Sequence, residues 1–382
     1  MLKTNFKNES MKKLCTNFNL HFMELTNRLK RKYSRACTIE NKSDSNSFQN
    51  DTEITKATNE DFEKIIKEMK NSDAVGIDGI QLKHIKGSVQ NCSIMMTYLV
   101  NCIIKTNKWP TKMKIQVIRP IYKNGVKNNM DNYRPISILP VLNKLTEKFF
   151  ANQLQDFLQI NKIISEEQFG FQRGKGTVDA LMKLNEEVSK ALDEKKKVGL
   201  IFIDLQKAFD TVCRKKLIDK LRHYGLSRQF CGLLKSYLTD RFSCCRVEQL
   251  YSPFIKSDMG VPQGSILGPI LFLIYMNDIN KDNVLNLILF ADDIVCVVTE
   301  TNEDTLVLKI QQNLNAIQHW CLKNDLFISE SKTKIMILTP KEPAFTFVLH
   351  EEKCSSTQRY TICSKIEAVS SAVYLGMVLD AK

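Results

Sequence analysis

Two adjacent carboxylates, Asp292 and Asp293, interrupt a stretch that is otherwise apolar: Asn286-Leu-Ile-Leu289 precedes Phe290-Ala291, and Ile294-Val-Cys-Val-Val298 follows the pair. Aliphatic and β-branched runs of that length read as strands, which predicts the carboxylates at the turn of a hairpin. Like charges held side by side repel, and desolvating either is costly unless a cation compensates them. By itself the pair reads either as half of a divalent-metal site, completed by a carboxylate from elsewhere, or as a solvated Asp-Asp turn.

Composition narrows the partners. The 382 residues suffice for two or three domains, or for one large domain with subdomains, and a hydrophobic fraction of 43% is ample for a folded core. Basic side chains outnumber acidic ones 55 to 42, a formal net charge of +13. That excess favours a polyanionic partner, and both nucleic acid and an anionic membrane surface fit it. No apolar run approaches the roughly 20 residues that span a bilayer, and Lys3, Asn5 and Lys7 leave no secretory hydrophobic segment. The 12 cysteines are scattered without a CxxC pair, and only five histidines accompany them. This argues against zinc and for reduced thiols in an intracellular protein.

Residues 1–57 are polar and predict an irregular arm or linker, with Ser and Asn concentrated from Asn41 to Asp51. A basic run just before it, Arg28, Lys30, Arg31, Lys32 and Arg35, reads as a nucleic-acid contact or as a solvated helix face. From Thr58 the pattern turns helical, with Phe62, Ile65, Ile66 and Met69 on one side and Asp61 placed to complete a capped start. Further helices are predicted from Asn143, from Val178, over Arg214–Tyr224 closed by Gly225, over Arg228–Leu238, over Ser265–Met276 and over Thr305–Cys321. Strands are predicted at Val198–Leu205, Cys245–Gln249, Phe254–Ser257, Lys334–Leu338 and Ala372–Leu379. Strands and helices in this mixture predict an α+β domain whose antiparallel sheet is packed on helices.

Transfer of a nucleotide from a triphosphate to a 3′-hydroxyl needs that hydroxyl deprotonated and the charge on both reacting oxygens neutralised. Two metals about 3.5–4 Å apart, bridged by carboxylates from separate strands, do this. The chain offers one such set: Asp204 closes a strand, and Asp292 and Asp293 follow 88 and 89 residues later. Asp210 is expected to cap the helix after it rather than bind metal.

The residues around these carboxylates resemble the reverse transcriptase of non-LTR retrotransposons, of the LINE or jockey-like class, itself related to group II intron reverse transcriptases. Phe202-Ile-Asp-Leu-Gln-Lys-Ala-Phe-Asp210 matches the first carboxylate motif and Phe290-Ala-Asp-Asp293 the second, with Gly260-Val-Pro-Gln-Gly-Ser-Ile-Leu-Gly-Pro269 between them in the expected order. The resemblance extends over about Ala74 to Leu379 and implies right-hand polymerase fingers over 58–197 and a palm over 198–382. It implies an RNA-directed DNA polymerase with RNA template, DNA primer and dNTP as partners, two Mg²⁺ ions, no membrane, and a place in cytoplasm and/or nucleus.

Carried over residue by residue, the resemblance gives Asp204 and Asp292 the metals, with the Leu205 carbonyl helping, and makes Asp293 an accessory carboxylate. Phe209 would stack under the incoming sugar and collide with a 2′-hydroxyl; its bland reading is core packing. Arg134 and then Arg119, with Lys123, would grip the triphosphate on a hairpin formed by Val117–Gly125 and Asn132–Leu139, guanidinium suiting phosphate best. Gln263 would reach nucleotide and template, Gly264 would let backbone approach them, and Lys332 would assist the leaving pyrophosphate. Arg173 and Gly174 would follow the template, and Tyr374-Leu375-Gly376 would support the primer. The template segment is the one that Gln168-Phe-Gly-Phe171 and Gly174-Lys-Gly-Thr177 resemble, with two departures, Gln172 for the usual Arg and Gly176 for the usual Ser. A full element would add an endonuclease ahead and a thumb behind, so the chain is expected to be a shortened copy. Two other readings remain: a silent nucleic-acid-binding remnant, and an RNA-templated RNA polymerase, which Phe209 fits poorly.

Overall fold

The computed structural model describes residues 2–33, 53–282, 284–339, 345–350 and 363–381. Its helices are α1 Leu2–Tyr33, α2 Asn59–Glu68, α3 Leu82–Lys86, α4 Val89–Thr106, α5 Val141–Ile160, α6 Thr177–Asp193, α7 Ala208–Thr211, α8 Arg214–His223, α9 Arg228–Leu238, α10 Leu267–Met276 and α11 Glu303–Lys323. Its strands are β1 Ile115–Tyr122, β2 Tyr133–Ile138, β3 Lys197–Asp204, β4 Arg241–Val247, β5 Leu250–Tyr251, β6 Ile255–Ser257, β7 Asn286–Phe290, β8 Asp293–Glu300, β9 Lys334–Leu338, β10 Thr346–Leu349, β11 Ser364–Glu367, β12 Ser371–Tyr374 and β13 Met377–Asp380. The predicted α+β class holds. The described residues of Met1–Leu29, Asn41–Ile163 and Phe209–Ile274 form one compact unit, and those of Lys30–Glu40, Ile164–Ala208 and Tyr275–Lys382 a second.

In the first unit β2, β1 and β4 lie side by side, with β5 and β6 both on β4. The predicted hairpin is β1 against β2, antiparallel, with Arg119 opposite Ile136 and Ile121 opposite Arg134. Sequence patterning missed that β4 runs parallel to β1. It also started β4 too late: the strand begins at Arg241, and its turn to β5 passes through Glu248 at φ 54. One face of this sheet is covered by α1, whose Phe18 and Phe22 pack on Ile118 and Cys245. Asn19, fully buried, donates to the Ser243 carbonyl at 3.2 Å, to Ser252 Oγ at 2.9 Å and to the Pro253 carbonyl at 3.1 Å. These contacts make a docked helix of what composition predicts to be an irregular arm. The linker expected at Asn41–Asp51 and the basic residues Lys30, Arg31, Lys32 and Arg35 lie outside the described side chains. On the other face Val117, Ile138 and Cys244 pack with Ala74 and Ile77. The α2 start is the predicted one, Thr58 and Asp61 exchanging hydrogen bonds in a capping box.

A polar network lies inside the same unit. Glu147 on α5 is wholly buried and accepts from Asn143 Nδ2 at 2.6 Å, Tyr237 Oη at 2.8 Å and the Ile266 amide at 2.6 Å. Trp109 Nε1 donates to Asn143 Oδ1 at 2.8 Å. The buried Arg241 guanidinium lies 4.8 Å from the Tyr237 ring centre and donates to the Tyr237 carbonyl at 3.1 Å. Burial pushes the Glu147 carboxyl above its usual range, against the pull of its donors and of Arg241.

The second unit is built on an antiparallel sheet in the order β7-β8-β3-β9. Side chains alternate across it. Val198, Leu200 and Phe202 of β3 join Ile288, Val295, Val297 and Met336, and α6 covers them with Ala180, Leu184 and Ala191. The opposite face receives α11, so close that a Cβ on Gly199 would meet Ile310 Cδ1 at 2.5 Å. The strand predicted over Ala372–Leu379 is instead the β12–β13 hairpin, turned by Leu375 and Gly376 at φ 47 and 86. Positive φ at both positions matches the hairpin's twist. None of the described cysteines forms a disulfide, and no helix among the described residues is long and apolar enough to cross a membrane.

Candidate active site

The second unit brings the three predicted carboxylates to one end of its sheet. Asp204, the last residue of β3, stands directly opposite Asp293, the first of β8. Directly opposed residues in an antiparallel pair share a face with their Cβ atoms about 5 Å apart. Phe290 pairs with Asp293, so Ala291 and Asp292 alone make the turn, Ala291 at φ 59. All three carboxylates are partly exposed. The strand register thus places like charges together, a costly arrangement for a fold with nothing to bind there.

One cation is already present. Lys332 reaches Asp204 with its Nζ 2.9 Å from Oδ1 and 3.2 Å from Oδ2. It sits on the turn after Ser329, whose amide donates to the Asp204 carbonyl at 2.8 Å. At this crossing Gln206 N also donates to the Phe327 carbonyl at 2.7 Å, so the Leu205 carbonyl is not the acceptor in either bond. The donors are hard carboxylate oxygens, the type Mg²⁺ and Ca²⁺ take, and Asp204 already holds a cation through both of its own. The donor set fits a divalent ion. Among the described residues no three acidic, His or Cys side chains converge closely enough to enclose one.

Tyr374 of β12 backs this site. Its ring packs 5.9 Å from Phe202, and its buried hydroxyl has no hydrogen-bond partner among the described residues. Burial, and then the Asp293 charge, push that hydroxyl above the usual phenol range. Leu375 and Gly376 form the adjoining turn. Arg173 and Gly174 are exposed on the loop before α6, and the departing Gln172 turns inward, its Nε2 donating to the Gln168 carbonyl at 2.5 Å. Sequence reasoning placed Gln168 in the template segment and missed its contact with the carboxylate turn. Its side-chain oxygen accepts from the Ala291 amide of the carboxylate turn at 3.0 Å, a contact 123 residues apart that no local pattern signals.

The first unit groups the other expected residues. Arg119 and Arg134 are exposed on the same face of the β1–β2 hairpin, and Lys123 follows at its turn end, its amide donating to the Asn132 carbonyl at 2.8 Å. The Gln263 carbonyl accepts from the Ser137 amide at 2.9 Å, which ties this loop to β2. A Cβ on Gly264, at φ 100, would meet the Ser137 oxygen at 2.6 Å, so glycine is required there. Phe209 stacks on Phe272 at 4.5 Å, and its carbonyl accepts from Val261 at 2.8 Å. Asp210 does not cap the following helix, whose cap is Cys213; it lies in α7 and accepts from Gln263 Nε2 at 3.3 Å.

Residues 121–379 match the model of the family described as reverse transcriptase (RNA-dependent DNA polymerase). The chain is 30% identical, over 85% of its length, to a protein described as a probable RNA-directed DNA polymerase from transposon BS of Drosophila melanogaster, and covers 36% of it. To the corresponding protein of the X-element from the same fly it is 29% identical over 88% of its length, again covering 36%. To the RNA-directed DNA polymerase of the mobile element jockey of Drosophila funebris it is 28% identical over 72% of its length, covering 31%. The chain therefore spans about a third of the length of these relatives. A match over more than half of its residues, with the motif carboxylates gathered on one sheet, makes the chain a member of the reverse transcriptase family.

Proposed function

We propose that this chain catalyses RNA-directed DNA synthesis, adding a dNTP to a primer 3′-hydroxyl on an RNA template. The observation that carries the reading is Asp204 in register with Asp293, with Asp292 on the adjoining turn and a cation already held by Asp204. When bound, two Mg²⁺ ions would lower the pKa of the attacking hydroxyl and neutralise charge on the phosphate oxygens. Asp204 and Asp292, with the Leu205 carbonyl, would hold them, and Asp293 would orient the primer end. Lys332, on a flexible stem and half exposed, can leave Asp204 and place its ammonium near the leaving pyrophosphate. Arg119, Arg134 and Lys123 would hold the triphosphate by charge-assisted hydrogen bonds, and Gln263 would meet base and sugar. Phe209, fixed by its stack on Phe272, would exclude a ribose 2′-hydroxyl. Arg173 and Gly174 would follow the template, and Tyr374 to Gly376 the primer. In this reading 58–197 serve as fingers and 198–382 as palm, working in cytoplasm and/or nucleus.

Primer extension on poly(rA)/oligo(dT) tests the proposal. Incorporation of dTTP should require Mg²⁺ and fall at least about a thousandfold in Asp292→Asn. Activity that survives that substitution overturns the assignment. Salt-sensitive RNA binding by the wild-type chain with no incorporation would favour the silent remnant instead.

A further inference from the structure

We infer that Gln168 is a positioning residue for the carboxylate turn, and that through it the template-facing loop is coupled to the placement of Asp292. The template half of this inference rests on the function proposed above; the turn half rests on geometry alone.

Gln168 is buried, only 3% exposed, and its side-chain oxygen accepts two backbone amides, Gly170 at 2.8 Å and Ala291 at 3.0 Å. The main chain on either side is joined to β7: Phe169 N donates to the Leu289 carbonyl at 2.7 Å, and Leu289 N to the Glu167 carbonyl at 2.8 Å. Gly170 lies so near that a Cβ there would stand 2.4 Å from the Ala291 amide nitrogen. Ala291 holds φ 59, a left-handed conformation that a residue with a Cβ adopts only when its surroundings enforce it. The Gln168 oxygen on its amide is part of that enforcement, and the next residue is Asp292. The side chain of Gln168 therefore sets the peptide from which a metal-binding carboxylate departs.

The carbonyl of the same residue is engaged by the loop that follows. It accepts Gln172 Nε2 at 2.5 Å and Lys175 Nζ at 3.1 Å. Lys175 also donates to the Glu166 carbonyl at 2.9 Å and lies 4.9 Å over the Phe169 ring. Arg173 and Gly174 lie between those two anchors. A loop that faces nucleic acid is thus tied at both flanks to the carbonyl of one residue whose side chain holds the catalytic turn. Filling the loop with template and fixing the carboxylate become one mechanical event.

Amide hydrogen exchange with peptides covering 164–176 and 286–298 tests the turn without any need for activity. In Gln168→Met, of similar length but without the acceptor, Gly170 and Ala291 should exchange about tenfold faster or more. Gln168→Glu, which keeps an oxygen on both amides, should restore protection. In steady-state extension the Met variant should lose kcat at least about tenfold with KM for dTTP within about twofold, and should need several-fold more Mg²⁺ for half-maximal rate. Adding RNA–DNA duplex should slow Ala291 exchange in the wild type and not in the Met variant. Should the Met variant not fold, Lys175→Met serves instead: Ala291 protection unchanged without duplex, and the duplex-induced slowing lost. Unchanged Ala291 exchange in Gln168→Met overturns the inference, as does a rise in KM with kcat intact. A wild-type chain without polymerase activity would defeat the proposed function and leave the exchange result on the turn standing.

Discussion

Glu147 and Asp204 are both acidic residues on regular elements of their units, and the chain treats them in opposite ways. Glu147 is wholly buried and surrounded by three fixed donors from Asn143, Tyr237 and Ile266. Asp204 keeps a third of its side chain exposed, faces a second carboxylate across the strand pair and is matched by a lysine that is itself half exposed. A buried carboxyl group enclosed by rigid partners has no capacity left for a ligand and serves the fold. One left half open and held only by a half-exposed lysine keeps oxygens that a ligand cation can take.

The largest effects should separate the two. Asp204→Asn is expected to lower primer extension by about a thousandfold or more, which is about 4 kcal/mol of barrier. Its unfolding free energy in urea should stay within about 0.5 kcal/mol of the wild type, because relief of the like-charge pair with Asp293 offsets loss of the exposed Lys332 ion pair. Glu147→Gln should do the reverse. With one acceptor where three donors converge, it is expected to lose about 3 kcal/mol of stability while the folded fraction keeps kcat within about threefold. A stable but inactive Glu147→Gln, or an unfolded Asp204→Asn, would break the distinction between the two sites.

How far each site was legible in the sequence follows the same divide. The carboxylate strands could be read because alternation and β-branching are local signals, and strands β3, β8 and β9 fall where they were predicted. Glu147 could not, since on sequence it is one more charged residue of a helix, and its partners come from Ile266, Tyr237 and Asn143. Helix α1 was hidden by its polar composition, although Cys15, Phe18, Asn19 and Phe22 fall at i, i+3, i+4 and i+7, the spacing of a docked face. Gln168 stood in the segment that resembles a template-tracking motif, but nothing local signalled its bond to the carboxylate turn, which joins residues 123 apart. What local periodicity dictates was readable. What depends on which distant segment arrives was not.

Lys332 sharpens the comparison from the cation's side. Its ion pair with Asp204 is more than half exposed on the lysine side, so removing it should change stability by less than about 0.5 kcal/mol. Function should respond in two directions at once. Lys332→Met is expected to lower kcat about tenfold, through loss of a donor at the leaving group. The Mg²⁺ concentration for half-maximal extension should nevertheless fall two- to fivefold, since the metal no longer displaces an ammonium from Asp204. A tenfold loss with an unchanged Mg²⁺ midpoint would mean that the lysine and the metal do not compete for the same oxygens.

The smallest expected effect is a slope, and it belongs to Glu147 alone. Burial raises its pKa above the usual carboxyl value. The folded chain therefore holds a proton that the unfolded chain releases once pH passes about 4.3. Its contribution to stability is present in full below that pH and is lost as pH rises toward the raised value, with a limiting slope of about 1.4 kcal/mol per pH unit. Urea denaturation of wild type and Glu147→Gln across pH 5 to 8 isolates it, because other titrating groups contribute equally to both chains. The gap between the two should be widest at pH 5 and should narrow as the pH rises. A gap that widened instead would mean that the donors and Arg241 outweigh burial, so that the site holds its carboxylate ionised. Glu147 would then be an ionised group inside the core, and burial alone would no longer separate it from Asp204.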